Sequence, residues 1–157
     1  RGAKVQAGVL GHGRRCEPCA DTQRPTGQAI GQAIEAALAM SHVPASEVGH
    51  VNAHGLGTVE DDAMEARIIQ QTLGDVLVTA PKSFMGNLGA AGGAAELAIS
   101  LLGLQQGIVP PTLNYEVSDP ACPVNIVAEP QVARSPAVLA LNHKLTGQAV
   151  ALLVSAD

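Results

Sequence analysis

Apolar positions along the chain fall into short runs and helical stripes, separated by breaks rich in Gly and Pro. Residues 5–10 form the first run and predict a strand. Residues 11–26 mix Gly, Pro, Cys, Asp and Arg, and predict a loop. From 27 to 40, Ala29, Ile30, Ala33, Ile34, Ala37 and Leu38 recur at helical spacing. Residues 43–48 read as a polar turn around Pro44, where Ser46 can cap a short helical turn. A second strand over 48–53 ends in the Gly-rich turn His54-Gly55-Leu56-Gly57-Thr58. A helix over 61–73 follows, with Glu60, Asp61, Asp62 and Glu65 near its positive end and Gly74 as its stop. Residues 76–79 predict a third strand and 81–87 a loop. Residues 88–104 form a helix so rich in Ala and Gly that neighbouring backbones can approach it closely, which places it deep inside. Residues 107–114 read as a turn and an extended segment. Two apolar runs, 138–141 and 150–155, predict paired central strands around a turn at 144–148. The order β-α-β-α-β-α-β-β predicts an α/β domain: a mixed, mostly parallel sheet with helices on its faces.

Composition narrows the function classes. With 46% hydrophobic and 15% charged residues, the chain is too apolar for disorder, and its 157 residues suit a single domain. One Phe, one Tyr and no Trp leave the core to Ala, Val, Leu and Ile. A formal charge of -5, with no basic cluster and no interleaved aromatics, argues against nucleic acid and against an anionic lipid surface. The apolar runs are too short for a membrane span, and no secretory leader is expected. Three cysteines make no even disulfide framework, so a reducing cytoplasm is the expected setting. The chain begins with Arg1 rather than Met, which suggests a piece of something longer.

Several side chains could carry chemistry. His54 ends a predicted strand, where open α/β sheets gather ligands, and imidazole donates or accepts near neutral pH. A structural His satisfied by backbone is the alternative. Lys82 can fix a neighbouring acid or His. Asn87 can donate its amide to a developing oxyanion, or simply cap the helix after it. Asn142 closes the penultimate strand and can brace the following loop. Cys16 and Cys19 form Cys-Glu-Pro-Cys, a pattern used for redox chemistry or zinc, but the further ligands zinc needs are missing, so a loop with two thiols and no metal is preferred. Cys122 sits in a Pro-flanked loop with no nearby His, which argues against a nucleophile. The Gly-rich run 86–93 lacks phosphate-loop order and reads as packing, and the acids at 60–65 as a solvated helix start.

Taken in order, these pieces resemble one family. Asn52-Ala53-His54-Gly55-Leu56-Gly57-Thr58, then Asp62 and Glu65, then Lys82-Ser83-Phe84-Met85-Gly86-Asn87, then Leu88-Gly89-Ala90-Ala91-Gly92, and finally Val109-Pro110-Pro111-Thr112-Leu113-Asn114 with Asp119-Pro120 and Cys122, are similar to the C-terminal half of the β-ketoacyl synthases. The resemblance is collinear and covers nearly the whole chain.

It implies a thiolase-like half, a five-stranded mixed sheet with helices on both faces. It also implies that residues 1–157 are the single C-terminal domain of a 3-oxoacyl-[acyl carrier protein] synthase, whose N-terminal half, carrying the nucleophilic Cys, is absent. The parent would be an acyltransferase of fatty-acid or polyketide synthesis, joining acyl and malonyl thioesters of acyl carrier protein by decarboxylative Claisen condensation, without a cofactor. Two His of the C-terminal half stabilise the enolate there, and a Lys supports the second. His54 and Lys82 match the first His and the Lys, and Asn87 stands in place of the second His, as in the Cys-His-Asn sites of chalcone synthases. Thr58, Asn142, Thr146 and Gly147 fall at substrate-binding or gating positions. None of Cys16, Cys19 or Cys122 matches the nucleophile, so this half alone should be inactive. The family's Asn-Ser-Phe-Gly-Phe-Gly-Gly is here Asn142-His143-Lys144-Leu145-Thr146-Gly147-Gln148, and Leu56 replaces a Thr. The altered loop after Asn142 supports an alternative, a non-catalytic partner of the chain-length-factor type, which the retained His54 and Lys82 oppose. The family buries the Ala/Gly helix against its counterpart in the other half, so a homodimer or pairing with the missing half is expected.

Overall fold

The computed structural model describes residues 2–19 and 24–156. In chain order its elements are β1 (Gly8–Cys16), α1 (Gln28–Ser41), β2 (His50–Asn52), α2 (Val59–Leu73), β3 (Leu77–Thr79), α3 (Lys82–Met85), α4 (Gly92–Gln105), β4 (Ile108–Val109), β5 (Asn125–Ile126), β6 (Gln131–Val132), β7 (Ala137–His143) and β8 (Gln148–Ser155). The main sheet runs β1-β8-β7-β2-β3-β5. The pairs β1/β8 and β8/β7 are antiparallel, and β7/β2, β2/β3 and β3/β5 are parallel. Five of these strands are those the resemblance implies, and the two-residue β5 extends the edge. β4 and β6 form a separate ribbon.

β1 corrects the sequence reading. The predicted loop over 11–26 begins instead as strand up to Cys16, while residues 20–23 lie outside the described residues. The glycines that suggested a loop serve packing. A methyl group on Gly11 would overlap the Ala37 carbonyl, and one on Gly13 the Ala33 carbonyl, so both strand glycines let α1 lie directly on the sheet. The facing α1 residues, Ala33 and Ala37, are themselves fully buried. With almost no aromatics to fill a gap, close backbone approach is how this core reaches density.

The larger core lies on this α1/α2 side, where Ile34, Val51, Ile69, Val78, Leu139 and Leu153 converge. Strand alternation sends His50 and Asn52 to the opposite face, beneath α4. There the Asn52 amide donates to the Glu96 carbonyl (2.9 Å) and the Ser100 hydroxyl (2.8 Å). Helix α4 is buried only along Gly92, Glu96, Ser100 and Gly103, while Leu102 stands exposed. Its expected position deep inside therefore does not hold within this chain: polar and small residues face the sheet, and the apolar flank faces outward. The expected loop at 81–87 contains α3.

Helix α1 starts at Gly27, whose φ is +89°. Its orphan N–H groups are capped from a distance by buried Glu17. That carboxylate accepts from the Thr26 N–H and hydroxyl (3.0 and 2.6 Å), the Gly27 N–H (3.0 Å) and the Ala29 N–H (3.5 Å). Burial pushes the Glu17 carboxyl up, but these bonds outweigh it and hold the group below its ordinary value.

The packing of β1 on α1 predicts that Gly13→Ala destabilises the fold by about 3 kcal/mol in urea denaturation. Gly8→Ala, whose added methyl meets nothing within 4 Å, should stay within about 0.5 kcal/mol of the parent. Equal midpoints for the two variants would contradict the close approach.

Candidate active site

Three short segments meet beyond the ends of the parallel strands. The turn after β2 presents His54 and is held by Glu65 of α2. One Glu65 oxygen accepts from the His54 N–H (2.7 Å) and the other from the Gly55 N–H (2.9 Å). Gly55, at φ +47°, lets the chain turn there. Glu65 and Asp61 are buried, which corrects the reading of residues 60–65 as a solvated helix start. Burial raises the Glu65 carboxyl, but the His143 ring 3.7 Å away and the two backbone donors leave it lowered.

Helix α3 supplies Lys82, also buried. Its Nζ lies 3.1 Å from His54 Nδ1 and 2.6 Å from Glu96 Oε1. The resemblance implies that the Lys supports the second enolate-holding position, which is Asn87 in this chain. Here it contacts His54 instead. An ammonium carries only donors, so His54 Nδ1 accepts and the ring's proton sits on Nε2. Burial, then the positive charge of Lys82 and the neighbouring His143, push His54 down to about 4, against a partial opposing effect of Glu65 and Asp61. At neutral pH His54 is thus a neutral imidazole with one free N–H donor.

His54 and Asn87 line one open cavity of about 600 Å³, together with Leu56, Gly93, Asn142 and His143. Asn87 Oδ1 accepts from the Gly89 N–H (2.9 Å). It therefore does cap the following turn, with its oxygen, and its NH₂ group remains available as a donor. Asn142 reaches the same cavity. Thr58, Thr146 and Gly147 do not line it. Thr58 is exposed at the start of α2, donating to Asp61 Oδ2 (2.6 Å). Thr146 and Gly147 form the tight β7–β8 turn, closed by Lys144 N–H to Gln148 carbonyl and Gly147 N–H to Lys144 carbonyl, both 2.9 Å. Gly147 is buried against Glu17 at φ +83°.

Cys16, exposed, and Cys19 each point a thiol at the Glu17 carbonyl, at 3.7 and 3.8 Å. Burial, Asp119 and Asp62 push the Cys122 thiol up, which opposes thiolate chemistry. Among the described residues, no three His, Cys, Asp or Glu side chains converge on a point where a metal ion would fit.

Three buried polar residues were missed from sequence. Glu96 had a signal, being the only charged residue between Lys82 and Glu116. His143 has one too, as the residue beside Asn142 that departs from the family's pattern. His50, fully buried with neither ring nitrogen partnered, had none beyond its place in an apolar strand.

His50 and His54 predict how stability depends on pH. Burial alone pushes His50 down to about 4, as burial and charge do for His54. Between pH ~6.5, the ordinary His value, and about 4, the unfolded chain binds protons that these rings do not bind when folded. Stability is therefore full above pH ~6.5 and falls on acidification, by up to ~1.4 kcal/mol per pH unit for each ring. Urea midpoints measured from pH 7 to 4 should show this decline, and His50→Leu should flatten it. A midpoint that is level from pH 7 to 5 would contradict the buried neutral rings.

Comparisons with known proteins place the chain in a family. Residues 7–116 match the family described as "Beta-ketoacyl synthase, C-terminal domain". The chain is 37% identical over 139 residues to the tetracenomycin polyketide synthase ketoacyl synthase alpha subunit of Streptomyces glaucescens, covering 85% of this chain and 32% of that protein. It is 36% identical over 142 residues to 3-oxoacyl-[acyl-carrier-protein] synthase 2 of Vibrio harveyi, covering 85% and 33%. Among solved structures, the ishigamide ketosynthase/chain length factor superposes with a TM-score of 0.92 at 30% identity, covering 99% of this chain and 39% of that one. The chain spans about a third of the length of the curated relatives it matches. It belongs to the β-ketoacyl synthase family, as the C-terminal part of its thiolase-like fold.

Proposed function

We propose that this chain is the enolate-holding half of a β-ketoacyl synthase. In this reading a Cys outside the chain carries the growing acyl group as a thioester. A malonyl thioester of acyl carrier protein enters the cavity with its thioester oxygen between His54 Nε2–H and the Asn87 NH₂. The bond from its α-carbon to the carboxylate breaks, CO₂ leaves, and the electron pair passes into the enolate, whose oxygen the two donors stabilise. The α-carbon then attacks the acyl thioester, the new carbon–carbon bond forms, and the Cys thiolate departs. The observation that carries the reading is the contact of Lys82 with His54 Nδ1, which assigns the ring's proton to Nε2 in the cavity shared with Asn87. A fixed neutral donor stabilises developing charge without reorganising when the reaction occurs.

A second reading has support in the β7–β8 turn. Where the family has a Gly- and Phe-rich loop, this chain has a hairpin tied by two backbone hydrogen bonds, with Leu145 exposed at its tip. Such a turn swings less readily than a Gly-rich loop. That favours a chain-length-factor-like subunit that pairs with a ketosynthase and shapes its cavity.

Both readings need a second body. Leu102 of α4, Leu88 before it and Val150 of β8 are exposed. We assign this surface to the missing half or, in the isolated chain, to a second copy. No described helix is long and apolar enough to cross a membrane. The setting we infer is the cytoplasm, where Cys16, Cys19 and Cys122 stay free.

The test is malonyl-thioester decarboxylation by the full-length protein. The synthase reading expects activity that falls about 10²–10³-fold in His54→Ala. Asn87→Ala should fall in the same direction. Unchanged decarboxylation in His54→Ala removes that residue from the mechanism. An inactive full-length protein with no Cys upstream selects the subunit reading. Light scattering of the isolated chain at micromolar concentration should show a dimer, converted to monomer by Leu102→Glu. A strictly monomeric parent contradicts the covered surface.

A further inference from the structure

His143 ends β7 and follows Asn142 directly. Its ring meets His54 edge-on, with centroids 4.6 Å apart and planes at 60°. Its Nε2 lies 3.7 Å from Glu65 Oε2, the same carboxylate that holds the His54 and Gly55 backbone. Both side chains of that pair are almost fully buried. The other ring nitrogen, Nδ1, is buried with no partner. An imidazole with one nitrogen unpartnered is costly to bury, so packing alone is a poor account of a His at this position.

We propose that His143 is a positioning residue for His54: wedged between the Glu65 carboxylate and the His54 ring, it fixes the orientation in which His54 turns its free nitrogen to the cavity. The proposal deepens the reading of His54 as an enolate-holding donor and rests on it. Two restraints act on the His54 ring, Lys82 at Nδ1 and His143 against its side, while Glu65 holds the backbone beneath. His143 is also the only cation-capable side chain paired with Glu65 among the described residues. The charged and titratable groups facing His54 are Lys82 from α3, Glu65 and Asp61 from α2, and His143 from β7. Those facing His143 are Glu65, His54 and, across a small void after β1, Glu17, with Lys144 next to it in the chain. A positive or dipolar ring at 143 opposes protonation of His54, and this is the direction in which His143 acts on it.

Imidazole ¹⁵N NMR of this chain tests the idea, reading tautomer and titration midpoint of His54 in the parent, His143→Ser and His143→Phe. In the parent, His54 should show a protonated Nε2 and an unprotonated Nδ1 from pH 5 to 8. In His143→Ser the ring loses its side restraint while Lys82 still faces Nδ1, so the Nε2 shift should move, and the midpoint should rise by about one pH unit, a tenfold gain in proton affinity. His143→Phe keeps the ring's volume and loses its nitrogens, so the tautomer should survive while the midpoint still rises. Unchanged His54 signals and midpoint in both variants, with dispersed amide spectra, overturn the proposal and leave the enolate reading standing. If His143→Ser loses its dispersed spectrum, the midpoint in His143→Phe decides alone. Loss of the fold in both also overturns the proposal, because His143 would then serve folding and not the orientation of one ring. A parent His54 protonated on Nδ1 refutes the donor assignment, and so the function reading, whatever the variants do.

Discussion

The buried pair of Lys82 and Glu96 is the constraint on which the rest of the site depends. At 2.6 Å it joins α3 to the inward face of α4, and the same ammonium reaches the imidazole that follows β2. Burying such a pair gives no clear stability advantage over apolar residues of the same size, because desolvation offsets the attraction. Its value lies in geometry. With Glu96 anchoring one side of the ammonium, the proton that Lys82 directs at His54 has a fixed origin. Without Glu96, the same Lys would be an unpaired buried charge beside a ring it needs to orient.

Carboxylates hold the backbone at two other points. Glu65 gathers the His54 and Gly55 N–H groups into one turn, and Glu17 gathers those of Thr26, Gly27 and Ala29 at the start of α1. At α1 the Glu17 carboxylate substitutes for a local cap, because Gly27 occupies the position that Ser, Thr or Asp usually fills. The effect is to make loop conformation depend on a distant helix or strand. The turn carrying His54 is thus tied to α2, and the α1 start to the end of β1. The β7–β8 turn joins the second arrangement, since the Glu17 N–H donates to the Gly147 carbonyl at 3.0 Å.

Much of this was legible in the residues. The stripe Ala29, Ile30, Ala33, Ile34, Ala37 located α1, and paired runs located β7 and β8, because apolar period follows burial directly. Ordered motifs also brought His54, Lys82, Asn87 and Asn142 forward, and three of these four line one cavity while Lys82 touches His54 from behind. What was not legible depends on contacts between elements. Gly11 and Gly13 look like loop residues until Ala33 and Ala37 are known to lie over them. Glu65 looks solvated at a helix start until the turn it holds is seen. Glu96 and His143 were visible as oddities, a lone charge in an apolar helix and a His where the family has Ser, but only their distances to Lys82 and to Glu65 give them roles.

The outward face of α4 connects fold and site. A helix that turns Glu96 and Ser100 toward the sheet while exposing Leu102 is inverted for a domain standing alone, since burial normally selects apolar residues. The inversion is intelligible if the helix lies between two layers, one supplied by this sheet and the other by a second body. The cavity has the same asymmetry. Gly93, in the first turn of α4, lines it, and exposed Leu88 lies just before that turn. A body that covered the apolar flank of α4 would therefore also close the cavity beside His54 and Asn87. Excluding water there would strengthen both donors, because hydrogen bonds to a developing charge gain as the local dielectric falls. In the proposed reading, assembly and catalysis would thus draw on one surface, where exposed Leu88 stands next to the cavity that His54 and Asn87 line.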